Sequence, residues 1–276
     1  MIKIFVDSGS SIKQEEKEEY NVEIIPLRFL MGDTEYRDGI DLSIDEFYNL
    51  LIEKKLFPKT SLPQLDEVQE KVTKETQQGN DVIILPISSE ISGTYNALKT
   101  MFEGNNKVYV VDTLSVVGGI RLLVEEINKY RDMPINFVLN KINELIPKIR
   151  IVAIPETLDY LLKGGRLSKK EWIFGTVLNL KPVIAIVKGK VKVIAKKIGI
   201  NNAIKFISSA LKDMKCSLEY PIIASFTKEK KNIQKLIMAT EEKFKSKIKI
   251  FDNLDPVIAS HWGPNAFGYV FVSEEM

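Results

Sequence analysis

Hydroxyl side chains collect at four places in this 276-residue chain. The stretches DSGSS (7–11), SSEISGT (88–94) and DTLS (112–115) each follow a short apolar run, and KTSLP (59–63) precedes a helical pattern. Ligands of open α/β sheets bind beyond the carboxyl ends of the strands, which is where three of these stretches are expected to lie. Hydroxyls and free N–H groups at a helix start bind anions, and the residues leave open whether a phosphate or a carboxylate would bind.

Helix capping is the ordinary role of a serine or threonine at such a place, because its oxygen accepts a hydrogen bond from a free backbone N–H. We expect that role for Ser11, Ser61 and Ser115, and loop or capping roles for Ser88 and Ser89. Several hydroxyls together make a donor-rich hollow, which ordinary capping does not require.

Known catalytic and nucleotide-binding motifs are missing from these stretches. The chain contains no GxxxxGK[ST], no GxGxxG and no GxSxG, so neither a P-loop nor a nucleophile elbow is indicated. His261 is the only histidine and Cys216 the only cysteine. A histidine cluster, a cysteine-based zinc site and an intramolecular disulfide are therefore excluded, and we expect no metal and no cofactor.

Two cationic residues stand beside glycines. Arg166 follows Gly164 and Gly165 in YLLKGGRLS, where it could bind the last carbonyls of a helix. His261 lies between a small-residue turn and the glycine-rich loop WGPNAFG. A structural role and a role at a ligand site both stay open for each of them.

Composition limits the choice of partners. The chain has 39 basic and 37 acidic residues, a net charge of +2 and 45% hydrophobic residues. This balance gives no reason to expect a nucleic acid or an anionic membrane as a stable partner. No apolar run approaches the ~18 residues of a membrane span, and the first residues do not resemble a signal peptide. We therefore expect a soluble cytoplasmic protein.

Apolar runs and amphipathic segments alternate along the first half, which predicts an N-terminal, mostly parallel, Rossmann-like sheet with flanking helices. The predicted strands are 2–6, 22–27, 81–86 and 107–112. Ser43 and Glu46 predict a capping box, Ser61 and Gln64 predict the next helix start, and Gly79 predicts its end.

The second half has a different character, because PVIAIVKGKVKVIAKK predicts an antiparallel hairpin around Lys188 and Gly189. The first half contains no such pattern. We therefore predict two α/β domains, residues 1–149 and residues 150–276. A helix is also predicted over KKEWIFGTVLNL (169–180).

The motifs, taken together, resemble those of the DegV family, the fatty-acid-binding subunits of bacterial fatty-acid kinases. DSGSS, IIPLRF with YRDGID, KTSLP, SSEISGTYNA, VVDTLSVVGG, YLLKGGRLS and ASHWGPNAFGYVF follow the family's order from end to end. There are two departures: Leu62 stands where the family has glutamine, and Gly9 stands where it has threonine.

The resemblance implies that the chain holds a long-chain fatty acid in an apolar tunnel, with the carboxylate bound by hydroxyls at the domain interface. The carboxylate ligands would be Thr60 and Ser92, with the N–H of Gly93, a residue whose missing Cβ permits close approach. Arg166 and His261 would lie beside the head group. For Phe29, Phe102, Trp172 and Phe174 we expect core packing rather than tunnel lining.

The resemblance also implies that the chain is not itself an enzyme. A separate kinase catalytic subunit would phosphorylate the bound acid, and the acyl phosphate would pass to phospholipid synthesis, with only transient membrane contact. Two alternatives remain open: an independent hydrolase or phosphotransferase using Ser92 and His261, and a carrier for another apolar acid.

Overall fold

The computed structural model describes residues 1–172, 179–240, 244, 247–251 and 253–275. The chain forms two compact units, one of residues 1–147 with 255–257 and the other of residues 148–254 with 258–276. That these units are separate domains divided between residues 149 and 150 stays a prediction. None of the described helices has the length and apolarity that a membrane span requires.

Four parallel strands form the main sheet of the first unit. They are β1 (Ile2–Asp7), β2 (Val22–Ile25), β6 (Asp81–Leu85) and β7 (Val108–Val110), hydrogen-bonded in the order β2–β1–β6–β7. Each is an apolar run rich in β-branched residues, which suits strands that are buried on both faces. The predicted parallel sheet is confirmed.

Helices flank this sheet, as predicted. They are α1 (Lys17–Tyr20), α3 (Leu65–Gln77), α4 (Thr94–Met101), α5 (Gly118–Lys129) and α6 (Ile135–Leu145), whereas α2 (Ile44–Tyr48) packs through Phe47 against Phe29, which is not part of this sheet. One face of the sheet, with Phe5 and Ile84, packs against Val68 and Val72 of α3 and Leu98 of α4. Val68 and Val72 are four residues apart and therefore lie on one side of their helix.

A second, antiparallel sheet lies in the first unit, so the prediction that the first half lacks such a hairpin is wrong. It consists of β3 (Arg28–Met31), β4 (Thr34–Arg37) and β5 (Lys59–Ser61), in the order β4–β3–β5. The strands are short and partly polar, which hid them from a reading based on apolar runs. Gly32 and Asp33 form the two-residue turn, with Gly32 at φ +60°, and this pair was the available signal.

The predicted helix ends are partly confirmed. Ser43 and Glu46 form the capping box, with Ser43 Oγ 3.3 Å from Glu46 N and Glu46 Oε2 3.0 Å from Ser43 N. Gly79, at φ +84°, follows the end of α3. Ser61 does not cap α3, because it belongs to β5.

Neither Ser11 nor Ser115 caps a helix with its hydroxyl. Ser11 follows a 3₁₀ turn at Ser8–Ser10, and Ser115 precedes Val117, the residue before α5. The hydroxyls of Ser11 and Ser115 are buried without a hydrogen-bond partner in the described part of the chain.

The second unit contains one mixed sheet. Its strands are β8 (Ile149–Ile154), β9 (Leu180–Val187), β10 (Lys190–Ile198), β11 (Ile222–Phe226), β12 (Ile248–Phe251) and β13 (Phe267–Val272), in the order β10–β9–β8–β13–β11–β12. Strands β11 and β12 are parallel, and the other neighbours are antiparallel. The predicted hairpin is confirmed, with Lys188 and Gly189 both at positive φ.

The helices described in the second unit are α7 (Asp159–Lys163), α8 (Lys169–Trp172), α9 (Ile200–Asp213), α10 (Lys231–Ala239) and α11 (Pro256–Trp262), whose first two residues belong to the first unit. Helix α9 buries Ile204, Ile207 and Leu211 against the sheet. Helix α11 was not predicted, because its small residues suggested a turn.

The helix predicted over residues 169–180 is only partly tested. Helix α8 ends at Trp172, residues 173–178, including Phe174, lie outside the described residues, and Leu180 already belongs to β9. Phe29 and Phe102 are buried, as expected of core residues. Trp172 is 39% exposed, with its indole N–H 2.8 Å from Asp159 Oδ1, so core packing was the wrong expectation for it.

Candidate functional site

The SSEISGT stretch turns sharply between strand β6 and helix α4. The carbonyl oxygen of Ser88 accepts hydrogen bonds from Ile91 N at 3.1 Å and Ser92 N at 3.0 Å. Ser88 N in turn donates to Ser115 O at 2.9 Å. This turn places Ser92 and Gly93 directly before the first residue of α4.

The start of α4 carries donors suited to an anion. Ser92 Oγ is half-buried, lies 2.9 Å from Thr94 Oγ1 and accepts from Thr94 N at 3.3 Å. Gly93 is the residue that precedes the helix, and its N–H donates to no residue among those described. A free N–H at a helix N-terminus favours negative charge.

Gly93 has no conformational need to be glycine. Its φ is −76°, and a Cβ placed on it would meet only Leu62 Cδ2 in the described chain, at 3.6 Å, an ordinary contact. The free space beside it is consistent with close approach of a ligand to the backbone.

Thr60 lies on β5, opposite Phe29 of β3, and is half-buried. Two residues later, Leu62 reaches Gly93, so the structure brings the KTSLP and SSEISGT segments together. Arg28 fixes this arrangement, because its Nε donates to Leu62 O at 3.0 Å while its Nη1 pairs with Glu35 at 3.0 Å. No sequence pattern indicated a role for Arg28.

Asp7 holds the residue that precedes the SSEISGT segment. It is fully buried, and its two oxygens accept from Gly9 N at 3.0 Å and Ile87 N at 2.9 Å. Burial raises the pKa of Asp7 to about 7, against the lowering effect of the two N–H groups. A Cβ at Gly9 would lie 2.9 Å from Asp7 Oδ1 and 3.2 Å from Ile87 Cβ, which explains a glycine at this position.

A second buried polar cluster also lies in the first unit. Lys13 forms an ion pair with Asp255, and Asp38 Oδ1 accepts from Val257 N at 3.1 Å. Burial and the neighbouring Asp255 raise the pKa of Asp38 well above its usual range, and burial also raises the pKa of Asp255 in spite of Lys13. Groups of three or more His, Cys, Asp or Glu that could hold a metal ion are absent from the described chain.

The second unit brings Arg166 and His261 together around Gly164. Helix α7 ends at Lys163, and Arg166 Nη1 donates to Gly164 O, so Arg166 does bind the end of the helix. The His261 ring packs against Gly164, where an added Cβ would lie 2.2 Å from His261 Nδ1. Gly263 is similarly required, because a Cβ there would lie 2.4 Å from the Tyr160 ring.

Arg166 and His261 differ in charge near neutral pH. Burial, and then the charge of Arg166, lower the pKa of His261 to about 3. Burial also lowers the pKa of Arg166 from its usual value, but a guanidinium stays charged in proteins. Near pH 7, His261 is therefore a neutral imidazole and Arg166 is the cation.

Known proteins match this chain over nearly its whole length. Residues 1–274 match the family model of the uncharacterised DegV proteins. A DegV domain-containing protein of Clostridium acetobutylicum is 30% identical over 285 residues, covering 98% of both chains. Two solved structures, each 25% identical and covering 99% of both chains, have TM-scores of 0.85 and 0.84. The first is a fatty-acid-binding DegV family protein from Thermus thermophilus, and the second is a stearic-acid-binding protein from Eubacterium ventriosum. The chain belongs to the DegV family.

Proposed function

We propose that this chain binds a long-chain fatty acid and that Thr60 Oγ1, Ser92 Oγ and the Gly93 N–H hold its carboxylate. The observation that carries the proposal is the free N–H of Gly93 beside the Ser92 hydroxyl at the start of α4. The fatty-acid-binding relatives, which align with the chain over nearly its whole length, support a carboxylate as the anion.

The energetics of such a ligand favour tight binding. A buried carboxylate needs several donors, and charge-assisted bonds from hydroxyls and an N–H supply them. A tail of ~14 methylenes at ~0.8 kcal/mol each could contribute roughly 11 kcal/mol. Association and ordering costs reduce this sum, but tight retention is still expected.

The chain then presents the bound acid to a separate kinase, which forms the acyl phosphate, and it carries out no chemistry itself. The added phosphoryl charge needs a cation, and of the two residues that the resemblance puts beside the head group, Arg166 is the charged one. The low pKa of His261 leaves it neutral, so we assign it a hydrogen bond to the head group rather than a charge. The placement of Arg166 and His261 beside the head group stays a prediction.

An independent hydrolase is the weaker candidate. A general base works best with a pKa near the working pH, whereas the pKa of His261 is about 3. The hydrogen bonds of Ser92 Oγ in the described chain are to Thr94, which is not a base. Both observations favour Ser92 as a ligand rather than a nucleophile.

Mass spectrometry of lipid extracted from the purified protein tests the proposal. We expect a stoichiometric C14–C18 fatty acid, lost or strongly depleted in Ser92→Ala. Ser89→Ala is the matched control, because the Ser89 hydroxyl lies in the same segment but donates to Asp112. An empty protein, an unrelated ligand or equal depletion in both variants would contradict the proposal.

The kinase step needs its own experiment. The loaded protein incubated with ATP alone should form no acyl phosphate, and addition of the partner kinase should produce it. Turnover with ATP alone would instead favour an independent phosphotransferase.

A further inference from the structure

Asp7 is a buried carboxylate that takes no part in the proposed ligand contacts. It ends β1, is fully buried, and directs both oxygens at backbone N–H groups instead of at a cation. Burying a charge is costly unless hydrogen bonds or an opposite charge compensate for the lost water. What Asp7 holds in place is therefore informative.

A short series of hydrogen bonds leads from Asp7 to Ser92. Asp7 Oδ2 fixes Ile87 N at 2.9 Å, and the next residue, Ser88, offers the carbonyl that accepts from Ser92 N at 3.0 Å. Only Ile87 and Ser88 separate the buried carboxylate from the turn that carries Ser92 and Gly93. A shift of Ile87 would be passed directly to that turn.

The other oxygen of Asp7 ties the segment to a second element. Asp7 Oδ1 accepts from Gly9 N at 3.0 Å, and Gly9 O accepts from Val117 N, directly before α5, at 2.7 Å. Because a Cβ at Gly9 would press on both Asp7 and Ile87, these three residues are packed as one block. This block supports the turn, as preorganised binding sites require.

We propose that Asp7 is a positioning residue of the fatty-acid site, whose ionised carboxylate fixes Ile87 and so sets the turn that presents Ser92 and Gly93 to the ligand. This inference rests on the proposed function. It adds that the grip on the head group is controlled by a residue that does not touch the ligand.

The inference has a pH signature. Ionised Asp7 accepts both N–H groups as an anion, and protonation weakens it as an acceptor. The pKa of Asp7 is about 7, because burial raises it and the N–H groups of Ile87 and Gly9 lower it. No charged side chain in the described chain adds to this shift. Fatty-acid affinity should therefore be highest above pH 7 and fall as the pH drops through 7.

Equilibrium binding of a fluorescent fatty acid, measured between pH 6 and 8.5 on delipidated protein, tests this. For Asp7→Asn we expect affinity at pH 8 to fall about tenfold or more, which is the scale of one hydrogen bond to a charged group, and the pH dependence around 7 to disappear. Glu126→Gln is the matched control, because Glu126 is a buried acid of the same unit that pairs with Lys129. It should keep the wild-type affinity and pH profile.

Gly9→Ala provides a second variant in case Asp7→Asn does not fold, since it displaces Asp7 without removing its charge. It should weaken binding and leave the pH dependence in place. A wild-type affinity that is flat between pH 6 and 8.5, or variants that lose thermal stability but bind like wild type, would overturn the inference. Either result would leave the proposed function standing, whereas wild-type protein that binds no fatty acid would overturn the function itself.

Discussion

Gly164→Ala should destabilise the second unit by about 1–3 kcal/mol, the usual cost of forcing extra volume into a packed site. The backbone tolerates alanine, because Gly164 has φ −74° and ψ −7°. The side chain does not fit, because its Cβ would lie 2.2 Å from His261 Nδ1 and 2.8 Å from Cε1, whereas ordinary contacts begin at 3.4 Å. The His261 ring or the turn at Gly164 must move by about 1 Å.

Urea unfolding followed by tryptophan fluorescence measures this change, because both tryptophans, Trp172 and Trp262, belong to the second unit. In a His261→Ala background the conflict with the ring is gone and only the tight contact with Tyr160 O, at 3.1 Å, remains, so most of the cost of about 1–3 kcal/mol should be lost there. Gly165→Ala is the control: Gly165 has φ +75° and no neighbour within 4 Å in the described chain. Its cost should not depend on residue 261. Equal costs of Gly164→Ala in both backgrounds would refute the packing argument.

Three further predictions concern the first unit. The raised pKa of Asp7 means that the folded state binds a proton more tightly than the unfolded state. The contribution of Asp7 to the unfolding free energy therefore falls by roughly 4 kcal/mol between about pH 4 and pH 7. Calorimetry of Asp7→Asn should show a flatter pH dependence of stability over that range, and an unchanged pH dependence would contradict this. Lys13→Met leaves Asp255 buried without the lysine of its ion pair and should lower the unfolding free energy by about 3–5 kcal/mol. Chemical denaturation should show a larger loss at pH 8 than at pH 5. An equal loss at both pH values would be inconsistent with this ion pair. Leu62→Gln should change fatty-acid affinity by no more than about threefold, because the proposed donors remain; a larger change in a binding titration would show that Leu62 itself shapes the head-group site.

The strands and helices with regular apolar patterns could be predicted from the sequence. The runs in β1 and β6 and the hairpin at Lys188 and Gly189 carry strong local signals. Strands β3, β4 and β5 could not be found in this way, because their residues alternate little and they are held by pairing with one another. Helix α11 could not be predicted for a different reason. Its proline and small residues are typical of turns, and tertiary packing makes them helical.

The candidate site shows a similar division. Hydroxyls beyond the strand ends indicated an anion site, and the DegV resemblance selected Thr60 and Ser92. The residues that hold this site in place, Asp7 and Arg28, could not be predicted, because each reaches the site through a backbone group distant in sequence, Ile87 N for Asp7 and Leu62 O for Arg28. Nor could a sequence show that His261 is neutral, since its pKa depends on burial and on the folded position of Arg166.

The central claim is that the start of α4 holds a fatty-acid carboxylate. The most direct measurement is the ¹³C NMR spectrum of carboxyl-labelled stearic acid bound to wild type, to Ser92→Ala and to Ser89→Ala. We predict one resonance, distinct from that of the free acid, that shifts or disappears in Ser92→Ala and is unchanged in Ser89→Ala. The same bound resonance in all three proteins would show that the carboxylate lies elsewhere and would contradict the account.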